Sequence, residues 1–216
     1  MGKKEEPDTL LEKESTDPNW NVCDVKFFGP HSRSIAVFGP IDRELCLGTI
    51  SQIMELEALD NTVPITVYIN TEGGDLNDAL AIYDCFRSCK CPIFTVATGL
   101  LASAGLVILM GGDWRVATPN TIFFFHQLCL GERDYTNPET IENAARAYIQ
   151  ATNMYHNIII ERTGIIPSVW NRTIKKRLAE TLTVREALKF KLVHAIIEPV
   201  EKSGLLLKKE NLDVKS

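Results

Sequence analysis

The sequence has no apolar run long enough to cross a membrane, no concentrated basic patch and no paired-cysteine metal motif. Its 216 residues carry 23 basic and 28 acidic side chains, a formal net charge of −5, and neither sign is strongly clustered. A membrane span needs about 20 apolar residues, and nucleic-acid-binding domains usually present a basic face. Neither class of protein is predicted. The polar first 17 residues do not resemble a secretory signal either.

Motifs for cofactors and metals are also missing. No GxxxxGK[ST] phosphate-binding motif occurs, so the chain is not predicted to use ATP itself, and no cofactor is implied. Cys85, Cys89 and Cys91 lie close together, but they lack CxxC pairing and a nearby histidine, so small core residues are favoured over metal ligands. With no export signal, the six cysteines predict reduced thiols in a cytoplasmic compartment or an organelle matrix or stroma.

The composition predicts one globular domain with polar ends. The hydrophobic fraction is 45%, which is enough for a substantial core. Residues 1–20 are rich in Lys, Glu, Asp and Pro and are expected to form a mobile tail. Residues 21–200 are expected to form the domain, and residues 201–216 a C-terminal tail.

Strand and helix signals alternate along the domain. The predicted strands are residues 34–39, 64–70, 92–97, 114–117, 121–126 and 192–197. The predicted shorter helices are residues 42–57, 76–87, 102–110, 167–177 and 183–190; the first of these should place Cys46, Ile50, Ile53 and Met54 on one face. Repeated strand–helix units with short connections predict a parallel sheet with right-handed crossovers.

One long helix is signalled at both ends. Asn137 can cap it, Pro138 suits its first turn, and Gly164 can end it. Its apolar stripe consists of Ile141, Ala144, Ala145, Tyr148, Tyr155, Ile158 and Ile159. Such a stripe fits either an interface with another chain or the core of this one.

Three segments carry residues that could do chemistry. Gly73-Gly74 lies between a predicted strand and helix, where backbone N–H groups can point at an anion. Ser103 lies among small residues that let a carbonyl group approach its hydroxyl, with adjacent N–H groups to stabilise an oxyanion. His126 ends a very apolar strand and could deprotonate a serine. Taken singly, the plainer interpretations are an ordinary turn, a helix cap or small core serine, and a core histidine.

Taken together and in order, these segments resemble the Clp protease proteolytic subunit family. The resemblance covers residues 35–197 and rests on Asn70-Thr71-Glu72-Gly73-Gly74, Ala81-Ile82-Tyr83-Asp84, residues 99–105 around Ala102-Ser103, Thr118-Pro119-Asn120 leading to His126-Gln127, Glu161-Arg162-Thr163-Gly164, and Leu182-Thr183 with Glu186-Ala187 and Leu192-Val193. It implies an α/β, ClpP/crotonase-like superhelical fold of repeated β-β-α and βα units with a protruding long helix. The domain at residues 21–200 would then be Clp-peptidase-like.

The resemblance also implies roles. Ser103 would be the nucleophile of a serine endopeptidase, His126 its general base, and the N–H groups of Gly74 and Ala104 its oxyanion hole. The family works through an acyl-enzyme, in homo- or hetero-oligomeric rings of related subunits, on unfolded polypeptides delivered by an ATP-driven unfoldase. The long helix would form the contact between rings.

The catalytic acid is the clearest departure from the family. Its position is occupied by Ala179, which cannot orient or stabilise an imidazolium. Spoiling that role in a serine protease costs on the order of ten-thousand-fold in rate. Glu180 is adjacent, but one step along an extended chain turns its side chain to the opposite face. A bulge there, or a longer reach from Asp134 or Glu132, could supply an acid instead.

Two other functions stay open. Ala179 and the altered loops fit a catalytically silent or weak structural subunit of a mixed barrel. A crotonase-like acyl-CoA enzyme also builds an oxyanion hole from paired N–H groups, although the pairing of Ser103 with His126 and the closing segment favour the peptidase.

Overall fold

The computed structural model describes residues 33–127, 137–175 and 179–197, so both predicted tails lie outside the described residues. The strands are β1 (Ser34–Phe38), β2 (Ile65–Thr71), β3 (Ile93–Ala102), β4 (Trp114–Ala117), β5 (Ile122–His126), β6 (Ala179–Thr183) and β7 (Ala195–Ile196). The α-helices are α1 (Arg43–Leu59), α2 (Leu76–Ser88), α3 (Gly105–Met110), α4 (Pro138–Thr163), α5 (Pro167–Trp170) and α6 (Val184–Lys189).

The strands form one mixed sheet. Its main path runs β1-β2-β3-β4-β7, with every neighbouring pair parallel. The far end of β3 pairs in parallel with β5, and β5 pairs with β6 in antiparallel fashion. The predicted parallel sheet is therefore confirmed, whereas β6 was not predicted as a strand.

One face of the sheet is buried beneath the first three helices. Along β1, Ile35 and Val37 are buried while their neighbours are partly or fully exposed, the period-two pattern of a strand with one covered face. Every residue of α3 is buried. The prediction for α1 was partly wrong, because Met54 is 62% exposed although Cys46 and Ile53 are buried.

The long helix α4 has the predicted ends. The Asn137 side chain accepts a hydrogen bond from Thr140 N at 2.8 Å, and Gly164 ends the helix with φ 65°. Its apolar stripe divides in two: Tyr155 and Ile159 are buried, whereas Ile141 is 53% exposed. Only the C-terminal half of α4 packs on the core. No described helix is both long and apolar enough to cross a membrane.

A buried arginine and a partly buried one hold the C-terminal half of α4 in place. Arg115 is 2% exposed, and its Nη2 donates to the carbonyl oxygen of Arg162 at 3.0 Å. Arg162 in turn donates from Nε to the carbonyl oxygen of Met110 at 2.9 Å. Burial lowers the pKa of Arg115 to about 10, so the residue keeps its charge at neutral pH. These bonds fix the C-terminal end of α4 against β4 and the C-terminal end of α3, the helix that follows Ser103.

The segment after α4 differs from the prediction of one helix over residues 167–177. α5 is a single turn, followed by a π-helical turn at Asn171–Lys175. The predicted capping box at Thr183 and Glu186 is confirmed: Thr183 N donates to Glu186 Oε2 at 2.8 Å, and Glu186 N donates to Thr183 Oγ1 at 3.3 Å. The final strand is shorter than predicted, because β7 spans two residues.

Candidate active site

Ser103 lies on a strained turn between β3 and α3. The prediction that a helix begins at Ala102 was wrong, because β3 runs on to Ala102 and α3 begins at Gly105. Ser103 has φ 53°, a left-handed conformation that is uncommon for residues other than glycine. Its N–H donates to the carbonyl oxygen of Phe124 on β5 at 2.9 Å. A strained serine between a strand and a helix is the arrangement that exposes nucleophiles in many hydrolases.

The glycine pair packs directly against this turn. Gly73 has φ +97°, and a Cβ atom there would lie 2.6 Å from Ser103 Cβ and 3.2 Å from Ala104 N. The hydroxyl of Thr71 holds the pair in place, because it accepts from Gly73 N at 3.0 Å and donates to the carbonyl oxygen of Gly39 at 2.6 Å. Only glycine allows this approach of the two segments.

The two predicted oxyanion-hole donors belong to the segments that meet here. Among the described residues, neither the Gly74 N–H nor the Ala104 N–H donates a hydrogen bond. Ala104 is 1% exposed, and buried backbone N–H groups are rarely left without an acceptor. Both N–H groups therefore lack an acceptor in this part of the chain.

His126 ends β5, the strand that also receives the Ser103 N–H. Its Nδ1 lies 2.6 Å from the carbonyl oxygen of Gln127. A carbonyl oxygen only accepts, so Nδ1 carries the proton and Nε2 of the neutral ring has a free lone pair. This is the tautomer that a general base needs. Within the described part of the chain, no hydrogen bond joins His126 to Ser103 Oγ.

Ala179, where the family resemblance led us to expect an acid, lies directly across from the histidine. In the antiparallel pairing of β5 with β6, His126 is opposite Ala179, and Phe125 is opposite Glu180. Ala179 is exposed and carries no acid. The two other acids considered, Glu132 and Asp134, lie outside the described residues.

A small cleft opens beside His126. It is lined by Phe125, His126, Gln127, Tyr155, His156, Ile174 and Glu180. Trp170 Nε1 donates to His156 Nδ1 at 3.0 Å, which fixes the orientation of that second imidazole. Sequence analysis gave no role to the Gln127 carbonyl or His156, and it placed Tyr155 only in the apolar stripe of α4. The available sequence signal for Tyr155 and His156 was that two residues with polar atoms occur side by side in the apolar C-terminal half of the long helix.

The described thiols are free. They are Cys46, Cys85, Cys89 and Cys91, whereas Cys23 and Cys129 lie outside the described residues. Burial raises the pKa of Cys85 and raises that of Cys89 to about 11, so both stay protonated and weakly reactive. No group of three histidine, cysteine or acidic side chains placed to hold a metal ion occurs in the described ranges.

Fold and site together define an α/β protein with a serine turn set against a glycine pair. A solved structure of a ClpP1 mutant from Listeria monocytogenes has this fold, with a TM-score of 0.69 and 30% sequence identity, and the match covers 77% of this chain and 92% of that one.

The chain belongs to the Clp protease family, whose model matches residues 26–200. Relatives include proteolytic subunit 2 of the ATP-dependent Clp protease of Treponema pallidum, 30% identical across 77% of this chain and 83% of the relative. The chloroplastic proteolytic subunit 6 of Arabidopsis thaliana is 32% identical across 77% of this chain and 61% of the relative. The fold that the sequence predicted is confirmed.

Proposed function

We propose that this chain is a serine endopeptidase subunit that cleaves unfolded polypeptides through Ser103 and His126. The observation that supports the proposal best is the turn at Ser103. Its backbone is strained, it packs against Gly73, and it is followed by the unpaired N–H of Ala104. A turn required only for folding would have little reason to combine these features.

The proposed reaction is acyl transfer. His126 Nε2 takes the proton of Ser103 Oγ as the oxygen attacks a peptide carbonyl, and the N–H groups of Gly74 and Ala104 stabilise the oxyanion. The peptide C–N bond then breaks, the leaving amine takes the proton from His126, and water releases the acyl group from Ser103. The Nε2–Oγ contact is expected to tighten on assembly or substrate binding, as catalytic hydrogen bonds often do.

The carbonyl oxygen of Gln127 would perform part of the missing acid's work. Its bond to Nδ1 orients the His126 ring and fixes the tautomer. It carries only a partial charge, so it should stabilise the imidazolium less than a carboxylate would. We therefore propose a slow peptidase. The relatives named above are all proteolytic subunits, which favours peptides over acyl-CoA thioesters as substrates.

Reaction with a fluorophosphonate tests the proposal. We expect the assembled protein to gain one label per chain by intact-mass analysis, and Ser103→Ala to gain none, because the reagent needs an activated serine hydroxyl. The label should map to the peptide that contains Ser103. An assembled wild-type protein that takes up no label would contradict the proposal and favour the second candidate, a silent structural subunit, which the alanine at position 179 supports.

We also propose assembly into rings of identical or related subunits, served by an ATP-driven unfoldase. The exposed N-terminal half of α4 supports a contact between rings, since Ile141 and Ile149 are 53% and 58% exposed. Replacing both with Glu should halve the assembled mass by separating stacked rings, measured by native mass spectrometry. Met54→Glu is the matched control, because Met54 is 62% exposed but lies on α1. An unchanged assembly of the double variant would contradict this interface.

A further inference from the structure

The Ser103 carbonyl is held by a tyrosine from the long helix. Tyr155 Oη donates to the Ser103 carbonyl oxygen at 3.3 Å, and Leu106 N donates to the same oxygen at 3.2 Å. Tyr155 is 3% exposed. Burial raises the pKa of its phenol further above its usual value, so the hydroxyl stays protonated and remains a donor.

This bond acts on more than the carbonyl. The Ser103 C=O and the Ala104 N–H belong to one planar, trans peptide unit, so they point in opposite directions. A donor that fixes the direction of the carbonyl therefore fixes the direction of the N–H as well. The turn needs such a support, because the Ala104 N–H makes no bond of its own within the described residues.

We propose that Tyr155 is a positioning residue that holds the Ser103–Ala104 peptide plane, so that the Ala104 N–H faces the oxyanion of the reacting carbonyl. This inference rests on the proposed function and deepens it. Without the hydroxyl, Leu106 N alone holds the carbonyl, and the peptide plane can rotate away. The loss falls on the transition state, in which the oxyanion exists, and little on the bound substrate.

Tyr155→Phe tests the assignment, in the wild-type chain and in an Ala179→Asp chain that carries an acid across from His126. We expect the rate at which Ser103 reacts with the fluorophosphonate to fall about tenfold. This effect lies between that of losing one ordinary hydrogen bond and that of losing an oxyanion donor. With a fluorogenic peptide, kcat should fall while KM stays unchanged. Tyr148→Phe, on the same helix but with no hydrogen bond to the site, should keep the starting rate. Tyr155→Met, which also lacks the donor, should match Tyr155→Phe and serves if the latter fails to assemble.

The outcomes separate this inference from the proposed function. Because Tyr155 also lines the cleft beside His126, the pH dependence of the rate is decisive. If the midpoint of the pH–rate curve is unchanged and the limiting rate is lower, the oxyanion role is supported. A shifted midpoint would overturn that role and indicate an effect on His126. An unchanged rate also overturns it. If the Ala179→Asp chain takes up the label and the wild-type chain does not, the proposed native activity is refuted. The role of Tyr155 is then still tested by Tyr155→Phe in the Ala179→Asp chain. If neither labels, both proposals fail.

Discussion

Ala179→Asp is expected to raise the fluorophosphonate rate of Ser103 by about a hundredfold or more, because it supplies the carboxylate that a serine protease uses to stabilise its imidazolium. His126 and Ala179 are directly opposite in an antiparallel pair, where Cβ atoms lie about 4.5–5.5 Å apart. A carboxylate at this position reaches the imidazole. Ala179 is exposed, so the new charge carries little desolvation cost. Intact-mass time courses at fixed reagent concentration measure the effect.

Two controls separate the carboxylate's position from its charge. Ala179→Asn has nearly the shape of aspartate without the charge and should give little of the gain. Thr181→Asp places the same charge on an exposed position of the same strand. Thr181 is opposite Phe124 and two residues from Ala179. It should leave the rate near that of the wild type. An equal gain from both aspartates would mean that general electrostatics, rather than orientation of His126, limits the reaction. No gain at position 179 would remove His126 from the role of base.

The features predicted correctly from the sequence are those set by neighbouring residues. The ends of α4 follow from a side-chain cap at Asn137 and a left-handed glycine at Gly164, and both interactions are complete within one helical turn. The capping box at Thr183 is local in the same way. The resemblance to a family added an expectation that these signals could not give, namely that residues from separate segments share one site.

The features missed depend on contacts between distant segments. β3 continues through Gly99 to Ala102 because its C-terminal end pairs with β5. No local sequence pattern predicts this pairing. β6 is a strand because it pairs with β5, although only Leu182 in it is buried. Ser103 was therefore assigned to a helix start, and the register that sets Ala179 opposite His126 was not foreseen.

The apolar stripe of α4 shows a different limit. Periodicity indicates which face of a helix is apolar, but it does not say what covers that face. The structure divides the stripe between a buried half with Tyr155 and an exposed half with Ile141. The buried half reaches the Ser103 turn, so one helix serves both the candidate site and the proposed assembly.

Gly73→Ala is expected to lower the fluorophosphonate rate at least a hundredfold, the scale of losing one oxyanion donor. The added Cβ would lie 2.6 Å from Ser103 Cβ and 3.2 Å from Ala104 N, so the glycine pair and the serine turn must move apart. In the proposed oxyanion hole, that movement would separate the Gly74 N–H from the Ala104 N–H, so the two groups would no longer bind one oxygen. The rate should fall much further than the stability of the fold, which thermal unfolding of the same samples would show.

Gly164→Ala is the matched control, because it introduces backbone strain without steric contact and away from the glycine pair. Gly164 has φ +65°, and a Cβ there would meet nothing within 4 Å. Both substitutions should cost about 1 kcal/mol or more of folding free energy for the left-handed backbone. Only Gly73→Ala should greatly lower the rate at which Ser103 reacts with the fluorophosphonate. Equal losses of rate in the two variants would mean that strain spreads through the loops, and that the close contact between Gly73 and Ser103 does not hold the oxyanion hole together.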